Sequence, residues 1–93
     1  LQGSYYVKSN RESGYGRYDI MLVPHDQKNN AIVMEFKVHE ADEEETLEDT
    51  VQAALKQIRE KNYDAGLTAA GIPKEKIRHY GFAFEGKKVL IGK

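Results

Sequence analysis

Cysteine and tryptophan are absent from this 93-residue sequence, and proline occurs only twice. Without cysteine the chain can form no disulfide, no thiolate zinc site and no cysteine nucleophile. A metal site would therefore need carboxylate, imidazole or carbonyl ligands, a set that favours hard ions such as Mg²⁺. The sequence also has no apolar run near the ~20 residues that span a bilayer. We therefore expect no membrane partner and a cytoplasmic location.

The composition is that of a folded globular unit, with 40% hydrophobic and 31% charged residues and a mean hydropathy of −0.69. A chain this short cannot divide its core, so residues 1–93 are predicted to form one domain. The sequence begins at Leu1 without an initiator methionine. We expect it to be part of a longer protein.

Acidic residues are concentrated in one stretch. Seven of the fifteen lie in residues 40–49, which contain no lysine or arginine, and the remainder of the chain has eight acidic against fourteen basic residues. A net positive remainder permits a polyanionic partner, although an ordinary mixed surface has the same composition. The acidic stretch itself is interpreted as helix capping plus solvation, with recruitment of a basic partner as an alternative.

The first part of the chain has the pattern of three strands. Residues rich in β-formers alternate with turn residues at 9–16 and a polar loop at 25–30, and Pro24 ends the second apolar run. The predicted strands are residues 5–7, 17–23 and 31–38. They are expected to form an antiparallel meander.

A helix is predicted after the acidic stretch. Thr46 is a suitable N-cap with Asp49 three residues on, and the helix is expected to extend to about Asn62. Its apolar residues recur at helical spacing, namely Leu47, Val51, Ala54, Leu55 and Ile58. A glycine-containing connection at 64–73 and a closing hairpin with strands at 77–84 and 89–91 complete a β-β-β-α-β-β order. This is an α+β domain.

Opposite charges share one face of the most apolar strand. Because strand side chains alternate, Glu35 and Lys37 point the same way, and the other face carries Ile32, Met34, Phe36 and Val38. We expect that apolar face to pack on the helix, with Phe36 against Leu55, which would leave the charged pair in a cleft. Antiparallel pairing of the neighbouring strand could bring Asp19 opposite the Glu35 region.

Two carboxylates and one ammonium at this place suggest metal chemistry. Neighbouring carboxylates repel each other unless a cation lies between them, and a hard divalent ion suits Asp19 and Glu35 as ligands. Such an ion activates water, and Lys37 could orient that water or a phosphate oxygen. The alternative is an exposed ion pair on a solvated sheet face, which contributes ~0–1 kcal/mol. Spacing alone does not decide between them.

Asp19 with the Glu35-Phe36-Lys37 triplet resembles the D…(D/E)-x-K signature of the PD-(D/E)XK nuclease superfamily. Five blocks along the chain resemble one branch of it, found C-terminal to AAA-type ATPase-like domains in bacterial proteins. The blocks are residues 9–14, 16–20, 34–37, 54–58 with Tyr63, and 80–84 with 86–89. Together they cover essentially the whole chain.

The resemblance implies a restriction-endonuclease-like core and hydrolysis of nucleic acid phosphodiesters that depends on Mg²⁺ or Mn²⁺, with DNA favoured over RNA. Asp19 and Glu35 would be the metal ligands and Lys37 the catalytic lysine. A helical glutamine supports the site in related nucleases, often with a tyrosine beyond it, and Gln57 resembles that glutamine. Tyr63 is not carried over, because the usual spacing is Q-x-x-x-Y. A helix-flank amide that bonds loop backbone is the alternative for Gln57.

Members of the superfamily commonly have an N-terminal helix, and residues 1–4 resemble only its end. We therefore expect this helix to be truncated, and the sheet face that it would cover makes a homodimer of the fragment a candidate assembly. The resemblance also implies an ATPase-like domain in the same parent chain. The rival function is a catalytically silent, nuclease-like module that binds or regulates beside this ATPase domain.

Overall fold

Five strands form one sheet in a computed structural model that describes residues 5–12, 17–26 and 28–93, with residues 10–12 and 17 described by their backbone. The strands are β1 (Tyr5–Glu12), β2 (Arg17–Pro24), β3 (Ala31–Val38), β4 (Ile77–Glu85) and β5 (Lys88–Gly92). They lie in the order β1-β2-β3-β4-β5. All neighbours pair antiparallel except β3 and β4, which are parallel. The predicted meander and closing hairpin are confirmed.

Helices connect the two parallel strands, as parallel pairing requires a crossover. They are α1 (Leu47–Lys61) and α2 (Tyr63–Ala69), followed by a 3₁₀ turn at Lys74–Lys76. The predicted capping box is present, since the Thr46 hydroxyl accepts from the Asp49 N–H and the Asp49 carboxylate accepts from the Thr46 N–H. Asn62 ends α1 in the left-handed conformation, with φ 53°.

The α+β class and its element order are confirmed, with two local differences. The first strand continues to Glu12, where a turn was expected from residue 9, because pairing with β2 overrides the turn-forming side chains. A helix replaces the expected irregular connection at 63–69, since Leu67 packs into the core. Predictions for residues 1–4 and 13–16 lie outside the described residues. No helix in the described ranges is both long and apolar enough to cross a membrane.

Helix α1 packs on the face of β3 that carries Glu35 and Lys37, opposite to the face expected from the sequence. Burial alternates along β3, and Ala31, Val33, Glu35 and Lys37 are the buried set. The prediction that Phe36 packs against Leu55 is therefore wrong. The prediction that Glu35 and Lys37 lie in a cleft rather than in the buried layer is also wrong. Small and β-branched side chains fill the layer under the helices, which allows α1 to approach closely. The core is Val23, Ala31, Val33, Val51, Leu55, Ile58, Leu67, Ile72, Ile77 and Ala83.

The opposite sheet face carries stacked aromatic rings. Phe36 stacks on Tyr18 with ring centroids 4.7 Å apart and on Phe82 at 4.5 Å. Apolar side chains on this side remain accessible, as Val38 is 50% and Ile91 55% exposed. Among the described residues, both helices lie on the Glu35 side, so the aromatic face has no helical cover.

Gly81 allows α1 to lie close to the sheet beside Glu35. The two residues are register partners on β4 and β3. A Cβ at position 81 would lie 2.9 Å from the Val51 carbonyl oxygen and 3.1 Å from Leu55 Cγ, closer than packed atoms normally approach. The glycine therefore sets the distance between the helix and the strand that carries Glu35 and Lys37.

Candidate functional site

Asp19 and Glu35 lie directly opposite each other on β2 and β3, as the sequence predicts. Residues directly opposite across an antiparallel pair have Cβ atoms ~4.5–5.5 Å apart and side chains on one face. Asp19 is 2% exposed and Glu35 is 0% exposed. Two carboxylates thus share one buried location on the helix side of the sheet.

The carboxylate of Asp19 is held from the helix side by two donors. Lys61, in the last turn of α1, places its ammonium 3.1 Å from Asp19 Oδ2, and the Tyr63 hydroxyl donates a short hydrogen bond to the same oxygen. The ammonium supplies charge that compensates part of the cost of burying a carboxylate. Asp19 is therefore fixed in position by side chains from the end of α1 and the start of α2.

The hydroxyl of Tyr63 is a donor and not a base at this site. Burial raises the pKa of Tyr63, and the hydrogen bond to Asp19 and the charge of that carboxylate raise it further, to about 12. A continuous helix would carry Tyr63 away from Gln57, but left-handed Asn62 ends α1 and redirects the chain. Tyr63 is not among the sequence-predicted site residues because of its spacing from Gln57, whereas the structure places its hydroxyl against Asp19. A helix-ending Asn62 was the signal that could have kept Tyr63 among the site residues.

Lys37 pairs with Glu44 from the acidic stretch. The Lys37 ammonium lies 2.8 Å from Glu44 Oε2, and the two side chains are 6% and 8% exposed. The alternative of an exposed ion pair between Glu35 and Lys37 is therefore wrong, because both side chains are buried and Lys37 pairs with Glu44. Capping and solvation describe the other acidic residues of 40–49, which are exposed, but not Glu44.

Glu44 is ionised in its buried position. Burial acts to raise the pKa of Glu44, but the hydrogen bonds from Lys37 and from the Glu40 N–H, together with the charge of Lys37, outweigh it and lower the pKa below its usual value. The charged form is thus the stable one near neutral pH. Nothing in the sequence of the acidic stretch distinguishes Glu44 from its acidic neighbours, so its role could not be predicted from the sequence.

Gln57 lies in a polar groove beside Lys37. The groove has a volume of about 480 Å³ and is lined by Lys37, Glu40, Glu43, Glu44, Ala53, Lys56, Gln57 and Glu60. Gln57 is half-buried and is one of the residues that border this solvent-accessible space. The structure therefore brings Gln57 and Lys37 to one surface, while neither Asp19 nor Glu35 lines this groove.

Two histidines bond side chains of the helices. His39 Nδ1 lies 2.6 Å from Thr50 Oγ1, and His79 Nε2 lies 2.8 Å from Asp64 Oδ1. Thr50 in turn bonds Glu44, at 3.2 Å. His39 is thereby attached to the cluster around Lys37.

Asp19 and Glu35 fit a hard divalent ion by residue type, register and burial. Within the described residues no group of three or more histidine or acidic side chains could hold a metal ion, so Asp19 and Glu35 are the pair of carboxylates that these residues offer. This suits Mg²⁺, which retains waters and is commonly held by one or two carboxylates plus substrate phosphate. Lys61, now next to Asp19 Oδ2, would have to share that carboxylate with the ion.

Comparison with known proteins gives one result for the whole chain. The family model described as the PD-(D/E)XK nuclease superfamily matches residues 1–93. No curated protein matches significantly. No solved structure matches significantly either.

Proposed function

This chain belongs to the PD-(D/E)XK nuclease superfamily, and we propose that it hydrolyses phosphodiester bonds of nucleic acid with the aid of Mg²⁺ or Mn²⁺. Nucleases of this superfamily generally use divalent metal ions. Asp19 and Glu35 are the proposed metal ligands, and Lys37 and Gln57 the proposed catalytic partners.

The observation that carries this proposal is the register of β2 and β3. It places Asp19 opposite Glu35, and both carboxylates are buried on the face where Lys37 follows two residues later. Burying two carboxylates and an ammonium in a small domain is costly unless a ligand or partner uses them. That cost favours a functional site over a structural arrangement.

Each proposed residue has a physical task. A divalent ion, when bound, lowers the pKa of a water and offsets phosphate charge. Asp19, fixed by Lys61 and Tyr63, keeps its carboxylate oriented. The compact ammonium of Lys37 orients a water or stabilises negative charge on a phosphate oxygen, and the Gln57 amide can donate to the same group.

We propose DNA as the preferred nucleic acid, a bacterial parent protein with an ATPase-like domain, and a cytoplasmic location. The accessible aromatic face supports a further contact, since Tyr18, Val38 and Ile91 expose apolar surface there. An N-terminal helix of the kind common in the superfamily, or a homodimer, would cover that face.

A catalytically silent binding or regulatory module is the second candidate. It is favoured by the ion pairs that already engage Lys61 with Asp19 and Lys37 with Glu44. Glu40, Glu43 and Glu60 also line the groove beside Lys37, and their charge opposes the approach of phosphate. A third, less specific candidate is recruitment of a basic partner by the exposed acids of 40–49.

The proposal is tested by measuring cleavage of single- and double-stranded DNA and RNA in the presence of Mg²⁺ or Mn²⁺. Two wild-type forms are compared, the chain alone and a form extended upstream. Lys37→Arg keeps the charge but not the compact geometry, so we expect nucleic acid binding within a few-fold and a loss of roughly 10²-fold in cleavage. Lys74→Arg, at an exposed position, is the matched control. Absence of metal-dependent cleavage in both wild-type forms would leave the silent module as the better explanation.

A further inference from the structure

A single member of the acidic stretch enters the buried layer and meets Lys37. Within residues 40–49, all of which the structure describes, Glu44 is the buried acid, and the other six are exposed. Its Oε2 accepts from the Lys37 ammonium at 2.8 Å. Glu40 is the next acidic group, with Oε1 4.0 Å from that ammonium and half of its side chain exposed. Lys37 is thus directed mainly by Glu44.

The second oxygen of Glu44 is fixed independently of Lys37. Oε1 accepts from the Glu40 backbone N–H at 2.9 Å and from the Thr50 hydroxyl at 3.2 Å. Thr50 is fully buried in the first turns of α1 and also contacts His39 Nδ1 at 2.6 Å. With both oxygens engaged, the carboxylate cannot rotate without losing hydrogen bonds to rigid elements.

A lysine needs such an anchor if its ammonium is to act at a defined point. Its four-carbon chain has many rotamers, and an error of ~1 Å in the place of a reacting group can cost ~10²-fold in rate. Lys37 lines the groove that also contains Gln57. The anchor therefore acts on a lysine that lines this groove.

We propose that Glu44 is a positioning residue, which holds the ammonium of Lys37 in its working place through a carboxylate fixed by Thr50 and the Glu40 backbone. This inference rests on the proposed nuclease function for its catalytic meaning. The contact between Glu44 and Lys37 can be tested without that function. Glu44 itself touches neither substrate nor metal in this scheme.

The first measurement is reductive methylation of the full chain, with the rate at each lysine followed by mass spectrometry. Lys37 should react slowly in the wild type, and Lys56, whose side chain is 67% exposed, should react fast. Glu44→Gln removes the charge at nearly constant size and should accelerate Lys37 at least several-fold, with Lys56 unchanged. Glu45→Gln, the exposed neighbour, should leave both rates as they are. An unchanged Lys37 rate in Glu44→Gln would overturn the proposal.

The second measurement is cleavage kinetics in the same variants and in a Lys37→Met background. Glu44→Gln should lower kcat roughly 10- to 100-fold with KM within a few-fold, as expected for lost placement of a reacting group. It should have no further effect once Lys37 is methionine, whereas a merely structural role would still lower kcat there. An increase in kcat would show that Glu44 restrains Lys37 and would contradict the proposal.

Thr50→Val provides a second route if Glu44→Gln fails to fold. It removes the hydroxyl that fixes Glu44 Oε1 and should change Lys37 methylation and kcat in the same direction by smaller factors. Faster methylation of Lys37 in Glu44→Gln, together with a wild type that cleaves no nucleic acid, would confirm the anchor, remove its catalytic role and count against the nuclease function itself. Cleavage by Glu44→Gln at the wild-type rate, with an unchanged rate of Lys37 methylation, would overturn the positioning role and leave the nuclease function intact.

Discussion

Asp19 on β2 and Glu35 on β3 are direct partners in the antiparallel register, and both carboxylates are buried beneath the helices. Asp19 has the Lys61 ammonium and the Tyr63 hydroxyl within hydrogen-bonding distance, both supplied by the junction of α1 and α2. The end of α1 is therefore as important to the candidate site as the strands themselves.

Divalent ion binding should depend on Asp19. We expect Asp19→Asn, which keeps the shape but removes the charge, to weaken Mn²⁺ binding at least tenfold, because a neutral amide is a poor ligand for a hard cation. Calorimetric titration of the chain measures this affinity. Asp42→Asn, at an exposed position of the acidic stretch, is the control and should bind as the wild type does. Equal affinity in all three would contradict the metal site.

The hydroxyl of Tyr63 should stabilise the fold through Asp19. Tyr63→Phe removes one donor from a buried carboxylate and should cost ~1.5–3 kcal/mol in the free energy of unfolding, measured in urea. Tyr6→Phe, on the exposed ring of β1, should cost much less. Ultraviolet titration should also lose the component with a pKa of about 12 in Tyr63→Phe only. Loss of a component with an ordinary tyrosine pKa of about 10 in Tyr63→Phe, with unchanged stability, would contradict the contact.

Gly81 should be intolerant of a methyl group. The added Cβ of Gly81→Ala would meet the Val51 carbonyl oxygen at 2.9 Å, and moving α1 away should cost roughly 1–3 kcal/mol. Gly66→Ala is the matched control, because nothing lies within 4 Å of its Cβ and alanine favours α2 by about 0.8–1 kcal/mol over glycine. Thermal unfolding should thus shift in opposite directions for the two variants. A shift of the same sign would show that α1 is less tightly packed than the structure indicates.

Ionisation of Glu44 should make part of the stability depend on pH. The pKa of Glu44 is lower in the fold than the usual 4.5, so its contribution is complete above pH 4.5 and is lost as the pH falls through the folded-state pKa below it. Glu44→Gln should therefore be clearly destabilised near pH 7 and approach the wild type in acid. Urea unfolding at both pH values measures the difference. Glu45→Gln should differ little from the wild type at either pH, and a pH-independent gap for Glu44→Gln would contradict this linkage.

Several features depended only on local sequence. Thr46 and Asp49 form the capping box at the predicted place because that motif involves neighbouring residues alone. Glu35 and Lys37 share a face since the strand period is two. The short connection between β2 and β3 restricted their register enough to place Asp19 opposite Glu35. Each of these follows from geometry within a few residues or one hairpin.

Tertiary structure decided which face of the sheet α1 covers. Alternation defines two faces of β3 but does not say which is buried, because that depends on the free energy of packing summed over the sheet and both helices. Ala31 and Val33 continue into a layer with Ala83 that accepts α1, while Phe36 stacks on the other side. The polar face could be covered because Glu44, which lies in the connection after β3 and outside every strand, pairs with the Lys37 ammonium. Such a partner lies outside any local pattern, so only the folded chain identifies it.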